Sequence, residues 1–380
     1  MAEDVAIIGI GMHPFGRHEN TGMEMGAYAA RAAMKDAGCD WSDVNYAFGG
    51  SASAGNADSM VSTLGLTGLP FINVANGCAT GGSALISAYN AINAGAADVC
   101  MAIGFDKHEK GAFAPDPASH GVGQWYGDTG LMLTTQFFGM KIQRYMHQFG
   151  ISESTLAKVA VKNFHNGSLN ENAWRRKPLT EEEVLNSLML SNPLTQYMFC
   201  SPGEGAVALV LARGDIAKKF QTKPVYLRSA VLRSRPFGSF EVFNSWLSPD
   251  RGNSPSVGAA AAFKMAGMGP SDMDIVQVQD TESGAEIMHM AECGFCEDGE
   301  QEDLIQSGAT NLDGRLPINT DGGCLANGEP IGASGLRQVY ESALQLRGDA
   351  GTHQVPKPIK TAFTHVYGAP GISACTVLSN

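Results

Sequence analysis

A cysteine in a turn of small residues is the first group with the chemistry of a nucleophile. Cys78 lies in the segment Asn76–Ser83, which reads NGCATGGS and opens an uncharged, helix-forming run. The backbone N–H groups left free at a helix N-terminus favour a thiolate over a thiol at such a position. A thiolate attacks carbonyl carbons and carries an acyl group as a thioester. The alternative is an inert cysteine that fills space, since free cysteines are among the most buried residues.

The remaining cysteines indicate neither a metal site nor a disulfide framework. Cys293 and Cys296 form a CxxC pair, but no second pair accompanies it, so we expect no zinc site. The eight cysteines are spread over the chain, and the N-terminal residues MAEDVAIIGIG carry acids where a secretory signal carries basic residues. We therefore expect a protein of the reducing cytoplasm.

The composition is typical of a compact, extensively buried protein. The chain has 380 residues, of which 44% are apolar and 17% charged, and this balance excludes disordered and fibrous classes. The net charge of −12 argues against nucleic acid as a partner. The uncharged run Ser59–Ala97 is interrupted by asparagines and glycines, so we expect it to be buried in protein and not to span a membrane.

The chain contains two copies of one structural unit. When the chain is aligned with itself, Ala30–Asp43 matches Ala259–Asp272 at eight of fourteen positions. In both copies a helix of small residues ends at a glycine, and a Ser-Asp pair leads to an apolar, β-prone run. A weaker match aligns the helix after Cys78 with a segment that begins at Gly332. These matches predict a duplication.

The predicted elements alternate between strands and helices, which indicates α/β layers. We divide the chain into residues 1–220 and 221–380, with an insertion at about 105–201 that is rich in Met, aromatic residues and His. In the first part we predict strands at Val5–Ile10, Val44–Phe48, Asp98–Ile103 and Val207–Leu211, and helices at Glu24–Ala37 and Gly81–Ala94. In the second part we predict strands at Val225–Val231, Ile275–Val278, Ile359–His365 and Ile372–Leu378, and helices at Ser256–Ala266, Gly284–Cys293 and Gly332–Leu346.

Several segments resemble motifs of the thiolase superfamily. The turn around Cys78 resembles the family's nucleophile region, and Gly203–Leu211 resembles the strand that closes its first half. Asn319–Gly323 and then Gly328–Gly335, which reads GEPIGASG, are similar to the family's Asn-x-x-Gly-Gly and Gly-His-Pro-Ile-Gly-Ala-Ser-Gly. The resemblance covers essentially the whole chain. Within the superfamily, the pattern resembles the sterol-carrier-protein type and the thiolases that work with a small zinc-ribbon/OB-fold subunit.

The resemblance implies a fold, a reaction and partners. The fold is α/β, with two duplicated βαβαβαββ halves that form α-β-α-β-α layers and bury the helix after Cys78. The reaction is acyl transfer from a 3-oxoacyl-CoA through a cysteine thioester. CoA is a co-substrate, and no tightly bound cofactor is implied. The implied assembly is a homodimer that works with a small zinc-ribbon/OB-fold subunit.

At the expected catalytic positions the chain departs from the family's motifs. The motif histidine is Glu329 here, so a carboxyl group stands where the resemblance places the base that activates the nucleophile. The resemblance makes Gln279 an amide donor to an oxyanion, and it places Thr281 where the sterol-carrier type has an acid/base cysteine. Glu282 adds an acid in place of an apolar aromatic residue. These departures predict an unusual substrate, aromatic or dicarboxylic, such as benzoylsuccinyl-CoA.

The resemblance also assigns candidates close to the C-terminus and for CoA binding. His365 stands at about the position of the family's second cysteine, as a working base or as a structural histidine. Tyr367 stands near the glycine whose N–H points at the acyl oxygen. The candidates for contact with CoA are Arg233, Arg235, Arg251 and Ser334. The alternative for the arginines is a solvated surface charge.

Three functions remain open at this point. The first is a thiolase-type acyltransferase that uses Cys78 with Glu329, Gln279 and His365. The second is a retro-aldol lyase that cleaves 3-hydroxyacyl-CoA, like the steroid side-chain aldolases of the same fold, and depends on tyrosines such as Tyr367. The third is a non-catalytic subunit of a complex. The intact turn around Cys78 favours the first.

Overall fold

The computed structural model describes residues 4–111, 113–121, 123–236, 253–368 and 371–380. Its strands are β1 (Val5–Gly16), β2 (Tyr46–Gly50), β3 (Phe71–Asn73), β4 (Val99–Lys107), β5 (Met189–Ser191), β6 (Leu194–Thr195), β7 (Glu204–Arg213), β8 (Val225–Ser234), β9 (Ile275–Val278), β10 (Thr361–Gly368) and β11 (Ile372–Ser379). Its α-helices are α1 (Gly22–Ala37), α2 (Val61–Leu64), α3 (Thr80–Asn93), α4 (Gln124–Asp128), α5 (Thr134–Phe149), α6 (Glu153–Leu169), α7 (Glu181–Leu185), α8 (Gly214–Ala217), α9 (Ser254–Ala266), α10 (Ser283–Glu292), α11 (Gln301–Gln306), α12 (Gly323–Asn327) and α13 (Ser334–Arg347). Within those ranges, none of the helices combines the length and the apolar character that crossing a bilayer requires.

One sheet has the strand order β3-β2-β4-β7-β1-β8-β11-β10-β9. In the first half β2 and β4 are parallel, and β4, β7 and β1 pair antiparallel. The second half repeats this pattern, with β9 and β10 parallel and β10, β11 and β8 antiparallel. The halves join where Val5–Ile7 pairs with Val225–Leu227. The predicted duplication is therefore confirmed in the sheet topology.

The outer helices α1 and α9 are equivalent elements of the two halves. α1 packs on β1 and β7, and α9 packs on β8 and β11. The two helices end at Gly38 and Gly267, whose φ angles of +70° and +65° lie in the left-handed region. Glycine adopts this conformation at little cost, and the N–H of each glycine caps the last helical carbonyls. The repeated helix, cap and strand are thus observed as predicted.

The central helices α3 and α13 cross at their first turns. A β-carbon added at Gly81 would lie 2.7 Å from the carbonyl oxygen of Gly332. One added at Gly335 would lie 2.8 Å from the backbone nitrogen of Gly82. Because any side chain would collide there, glycine allows the two helix N-termini to meet.

Alternating strand residues separate the layers. In β1, Val5 and Ile7 pack in the core that holds α3 and α13, whereas Ala6 and Ile8 pack with α1. The residues of β10 and β11 alternate in the same way between the core of α13 and the core of α9. The α-β-α-β-α layers implied by the family resemblance are therefore confirmed.

The predicted insertion lies between β4 and β7. It contains α4 to α7 and the hairpin of β5 and β6, and α6 packs against α10 and α12 of the second half. β7 ends at Arg213 and β8 begins at Val225, on either side of the predicted division at residue 220. The insertion therefore covers the side of the molecule on which the loops after β9 and before α13 meet.

Candidate active site

Cys78 lies in the turn between β3 and α3, where local hydrogen bonds hold its backbone. Asn76 donates its N–H to Thr80 Oγ1 (2.9 Å), and Thr80 donates its N–H to the carbonyl oxygen of Gly77 (2.9 Å). The thiol is half-buried, and burial together with the neighbouring Glu329 raises the pKa of Cys78 well above its ordinary value. Burial and the carboxyl group thus favour the thiol over the thiolate, so the resting group needs a base.

Glu329 supplies a carboxyl group in contact with that thiol. Its fully buried side chain accepts hydrogen bonds from Gln279 Nε2 (2.5 Å), Cys200 Sγ (3.3 Å) and the Cys78 thiol. Its backbone N–H donates to the carbonyl oxygen of Ser201 (2.9 Å). Burial raises the pKa of Glu329, although the three donors oppose the shift. We call Cys78, Cys200, Gln279 and Glu329 the carboxyl–thiol cluster.

The turn of Cys78 and the loop of Glu329 are equivalent parts of the two halves. Gly77–Ser83 reads GCATGGS and Gly328–Ser334 reads GEPIGAS, so an alignment without gaps places Cys78 over Glu329. The first glycine of each segment has positive φ (+53° and +78°), and a central helix follows each segment. The crossing of the two helices brings both side chains to one point.

Gln279, directly after β9, is the amide of the cluster. Its Nε2 also lies 3.4 Å from Thr281 Oγ1, and its Oε1 is buried with no hydrogen-bond partner in the described chain. The N–H of Cys200 donates to the carbonyl oxygen of Thr281 (2.9 Å), so Cys200 lies beside this segment. The structure therefore brings Cys78, Glu329 and Gln279 together, as the family resemblance implies.

Glu282 lies apart from that cluster, at the N-terminus of α10. One carboxylate oxygen accepts the N–H of Gly284, while Oε1 is buried and has no hydrogen-bond partner among the described residues. Burial raises the pKa of Glu282 to about 8, although the N–H of Gly284 and the nearby Lys141 oppose the shift. Its assignment to the catalytic set stays a prediction.

His365 and Tyr367 lie in a second group, the histidine cluster, which also contains Lys141, His289 and Glu292. His365 is fully buried, its Nε2 is 3.2 Å from the hydroxyl of a serine in β11, and its ring meets that of His289 edge to face at 4.5 Å. His289 Nδ1 pairs with Glu292 Oε2 at 2.5 Å. Tyr367 packs near His289, and Lys141 Nζ lies 5.8 Å from the centroid of the Tyr367 ring.

The pKa values of two groups in the histidine cluster are strongly shifted. Burial lowers the pKa of His365 well below its ordinary value, and the neighbouring His289 lowers it further, so this imidazole is neutral. Burial alone would raise the pKa of Glu292, but Lys141 and His289 outweigh it and lower this pKa to about 2. The cluster therefore holds a carboxylate and a neutral imidazole. Catalytic roles for His365 and Tyr367 stay predictions.

The end of β10 connects the two clusters. A β-carbon added at Gly368 would lie 2.4 Å from the carbonyl oxygen of Asn76 and 2.7 Å from the nitrogen of Ala79. The backbone of Gly368 therefore touches the turn of Cys78 directly, and only glycine permits this approach. The histidine cluster and the carboxyl–thiol cluster accordingly meet through one strand end.

The candidates for CoA contact differ in their exposure to solvent. Arg233 is exposed and Arg235 is half-buried at the end of β8. Ser334 is fully buried, and its hydroxyl donates to the carbonyl oxygen of Pro330 (3.1 Å), so it stabilises the first turn of α13. Arg251 lies outside the described residues. The contacts of these residues with CoA stay predictions.

A cavity of about 630 Å³ opens beside the carboxyl–thiol cluster, and Cys200 and Ser201 form part of its lining. Arg175 lies behind Ser201, where its Nη2 donates to Ser201 Oγ (2.6 Å) and its guanidinium stacks on Trp174 at 4.6 Å. Its Nη1 is buried without a hydrogen-bond partner in the described chain. Basic, aromatic and aliphatic side chains complete the lining, among them Arg17, Lys110, Phe113, Trp174, Leu188 and Phe199.

Sequence reasoning missed several residues of the site. Cys200 was one of eight dispersed cysteines, although it stands three residues before the first glycine of the recognised Gly203–Leu211 motif. His289 and Glu292 lie three residues apart on one helix face, a spacing that indicates a contact but not its place in the fold. In the part of the chain that the structure describes, no group of three or more His, Cys, Asp or Glu side chains is arranged to hold a metal ion.

Family models match both halves of the chain. Residues 5–178 match the model described as "Thiolase, N-terminal domain", and residues 253–380 match the model described as "Thiolase C-terminal domain-like". The matched ranges together span well over half of the chain and correspond to the two copies of the fold.

Individual relatives agree with these matches. The chain is 33% identical to an acetyl-CoA acetyltransferase of Methanothermobacter thermautotrophicus, covering 98% of each chain. It is 31% identical to sterol carrier protein 2 of Gallus gallus (99% of this chain, 72% of the relative). It is also 31% identical to benzoylsuccinyl-CoA thiolase subunit BbsB of Thauera aromatica (96% and 94%). Among solved structures, the Ltp2-ChsH2(DUF35) aldolase superposes with a TM-score of 0.86 at 24% identity, over 99% and 98% of the two chains.

Proposed function

The chain belongs to the thiolase family, and on that premise we propose that Cys78 carries the acyl group and that Glu329 is its general base. The protein is an acyltransferase of the thiolase type, with CoA as its co-substrate. The observation that carries the two roles is the contact between the buried carboxyl group of Glu329 and the half-buried thiol of Cys78.

Proton transfer from Cys78 to Glu329 starts the reaction. The raised pKa of Glu329 makes this carboxylate a stronger base than an exposed one, which favours transfer of the thiol proton to it. The Cys78 sulfur then bonds to C3 of the 3-oxoacyl-CoA, and the C2–C3 bond breaks. The electron pair left on C2 takes up a proton that balances the one released by Cys78, and Glu329 returns to the carboxylate. In the second half-reaction CoA attacks the thioester, and its thiol proton returns to Cys78 through Glu329.

The proton also changes what Glu329 offers to the leaving group. A carboxylate repels an enolate, but the protonated Glu329 is a neutral acid and donates a hydrogen bond. Gln279 Nε2, which contacts Glu329 Oε1, adds an amide donor at the same point. The two groups together replace the donor that the motif histidine supplies in the family pattern.

The proposed substrate is an aromatic or dicarboxylic 3-oxoacyl-CoA, for which benzoylsuccinyl-CoA is the first candidate. The cavity beside Cys200 supports this class, because Lys110 offers positive charge for a carboxylate and Phe113 and Trp174 offer aromatic faces for a ring. The identity of 31% to the benzoylsuccinyl-CoA thiolase subunit also supports it.

We also propose that the chain works with a small partner subunit. The Ltp2-ChsH2(DUF35) aldolase pairs a chain of this fold with a DUF35 protein, and the benzoylsuccinyl-CoA thiolase relative is itself named as a subunit. Activity of the chain should therefore be tested alone and together with a DUF35-type protein encoded beside it.

A second candidate function is retro-aldol cleavage of a 3-hydroxyacyl-CoA. Tyr367 favours it, since this tyrosine lies beside the His289–Glu292 pair, and the strand end that follows it touches the turn of Cys78. A lyase of this kind needs proton transfer at a hydroxyl group and no thioester. It would therefore survive the loss of Cys78.

Intact-protein mass spectrometry separates the two candidates. Benzoylsuccinyl-CoA and a panel of other 3-oxoacyl-CoA thioesters are added without free CoA to the wild type, to Cys78→Ala and to Cys324→Ala, with and without the partner. We expect an acyl adduct on the wild type and on Cys324→Ala, and none on Cys78→Ala. An absent adduct, together with 3-hydroxyacyl-CoA cleavage that persists in Cys78→Ala, would replace the thiolase assignment by the lyase.

A further inference from the structure

A second thiol shares the carboxyl group of Glu329 with Cys78. Cys200 Sγ lies 3.3 Å from Glu329 Oε2, while Cys78 bonds the same carboxyl group. Both thiols contact the same carboxyl group, which provides a route for a proton between the two sulfur atoms in two short steps. Cys200 occurs in none of the motifs by which the family was recognised.

The position of Cys200 explains how it reaches this carboxyl group. Residues 199–201 run alongside the segment after β9, with the N–H of Cys200 bonded to the carbonyl oxygen of Thr281 and Phe199 bridged to Glu282. Thr281 is the residue that stands where the sterol-carrier type has its acid/base cysteine. A thiol on the neighbouring segment, that of Cys200, therefore lies beside this position.

Cys200 also meets the requirements of a proton donor to substrate. It forms part of the lining of the 630 Å³ cavity, whereas Cys324, another buried thiol, is not part of that lining. Burial, followed by the charge of Glu329, raises the pKa of Cys200 well above its ordinary value, so the group rests as a thiol. The guanidinium of Arg175, which has no carboxylate partner in the described residues, lies near enough to stabilise a transient thiolate.

We propose that Cys200 is the acid/base group for carbon C2 of the substrate and exchanges its proton with Cys78 through Glu329. This role rests on the proposed function. Glu329 takes the proton of Cys78 as the sulfur bonds to C3 and the C2–C3 bond breaks. The S–H bond of Cys200 then breaks, and its proton joins the electron pair on C2. The O–H bond of Glu329 breaks last and restores the Cys200 thiol.

Protons and bonds balance over this step. The proton that leaves Cys78 corresponds to the proton gained by the released acyl-CoA, while Glu329 and Cys200 end in the forms in which they began. The acyl group remains on Cys78 as a thioester. In the reverse direction Glu329 first takes the proton of Cys200, and the resulting thiolate removes a proton from C2 of an acyl-CoA, which starts carbon–carbon bond formation.

Proton exchange and acylation are measured separately. Wild type, Cys200→Ala, Cys200→Ser and Cys324→Ala, each alone and with the partner subunit, are incubated in D2O with acetyl-CoA or succinyl-CoA. Deuterium at C2 is followed by NMR. Acylation of Cys78 by the same thioesters and by benzoyl-CoA is followed by intact mass. We expect exchange to fall at least about a hundredfold in Cys200→Ala, with acylation within about threefold of the wild type.

The variant Cys200→Ser distinguishes acid/base chemistry from packing. The introduced serine keeps the size and the hydrogen bond to Glu329 almost unchanged, but its hydroxyl ionises far less readily than a thiol. Exchange should therefore remain low in Cys200→Ser and normal in Cys324→Ala.

Three results would each overturn the role of Cys200. The first is deuterium exchange at the wild-type rate in Cys200→Ala, and the second is exchange restored in Cys200→Ser. The third is a wild type that is acylated but shows no exchange. A wild type that stays unacylated both alone and with the partner subunit would instead refute the proposed function. Thermal unfolding of every variant shows whether a loss of exchange accompanies a loss of folding. If Cys200→Ala does not fold, the exchange rate of the folded Cys200→Ser tests the role of Cys200.

Discussion

Glu329 makes acylation depend on a carboxyl group that is ionised only above its raised pKa. Glu329→Gln retains the shape of the side chain but removes the base. We expect the rate of Cys78 acylation to fall by about 10²–10⁴-fold. The decline of the wild-type rate toward low pH should disappear in the variant. Stopped-flow acylation across a pH series measures both effects.

Glu282→Gln is the matched control for this change, because Glu282 is another buried acid with a raised pKa but does not belong to the carboxyl–thiol cluster. In Glu282→Gln the rate of Cys78 acylation should still decline toward low pH, as it does in the wild type. Acylation of Glu329→Gln at the wild-type rate would contradict the base assignment.

Glu282 gives a second prediction, on stability. The folded state keeps the proton of Glu282 up to about pH 8, whereas the unfolded chain loses it near pH ~4.3. Between these values the folded state binds more protons, so this group lowers the free energy of unfolding as the pH rises. The slope is at most about 1.4 kcal/mol per pH unit. Glu282→Gln should therefore gain stability relative to the wild type from pH 5 to pH 8.

Urea unfolding at several pH values checks this slope. The acylation activity, measured at the same pH values, reports whether the variant keeps its native site. A difference between Glu282→Gln and wild type that stays constant over this range would show that Glu282 is ionised in the folded protein.

The residues of the site were predictable to different degrees. Cys78, Glu329 and Gln279 belong to local sequence motifs, and their meeting follows from the family pattern. The contact of Cys200 with Glu329 depends on the pairing of Pro202 with Glu329, between segments far apart in the chain. Burial is equally non-local, so the shifted pKa values could not be derived from the sequence.

At the scale of elements, the crossing of α3 and α13 should be intolerant of added volume. Gly81→Ala places a β-carbon 2.7 Å from a backbone oxygen, which cannot move like a flexible side chain. We expect a loss of about 1–3 kcal/mol in stability, as for other overpacked cores. Because α3 begins at the turn of Cys78, acylation should slow as well. Thermal unfolding and intact-mass kinetics measure the two effects.

Asn90→Ala, on the exposed side of the same helix, is the control. It should change stability by no more than about 0.5 kcal/mol and leave acylation unchanged. Equal effects of Gly81→Ala and Asn90→Ala would mean that the helix crossing has room for a methyl group.

Most strands and helices of the two halves were predictable, since alternation and glycine caps are local signals. The ends were less accurate, because β1 continues past Ile10 to Gly16 and β10 begins at Thr361, later than Ile359. The helices of the insertion, such as α5 and α6, were not resolved from the sequence. Their apolar residues face α10 and α12, partners that no local pattern identifies.

At the scale of the whole molecule, we propose that β3 forms the homodimer interface. β3 is an edge strand, and Ile72 within it is 44% exposed, while the nearby Leu66 is 86% exposed. An open edge with apolar side chains is a template for pairing with another chain. Light scattering should therefore report twice the chain mass of 40.0 kDa.

Ile72→Lys should shift the protein toward the monomer, because a lysine protects an edge from pairing. Leu188→Lys, at an exposed position in the insertion, should leave the dimer intact. A wild-type monomer would refute the homodimer. A dimer that withstands Ile72→Lys and dissociates in Leu188→Lys would place the interface elsewhere.

The alignment of Cys78 with Glu329 has a consequence for the origin of the active centre. Two identical half-length chains related by a twofold axis would present the same side chain twice, either thiol against thiol or acid against acid. In this protein a nucleophile, Cys78, lies beside a different group that accepts its proton, Glu329. The two equivalent positions must therefore mutate separately. A fused gene that holds two copies allows this, so the reaction centre lies where the sequence symmetry of the two halves is broken.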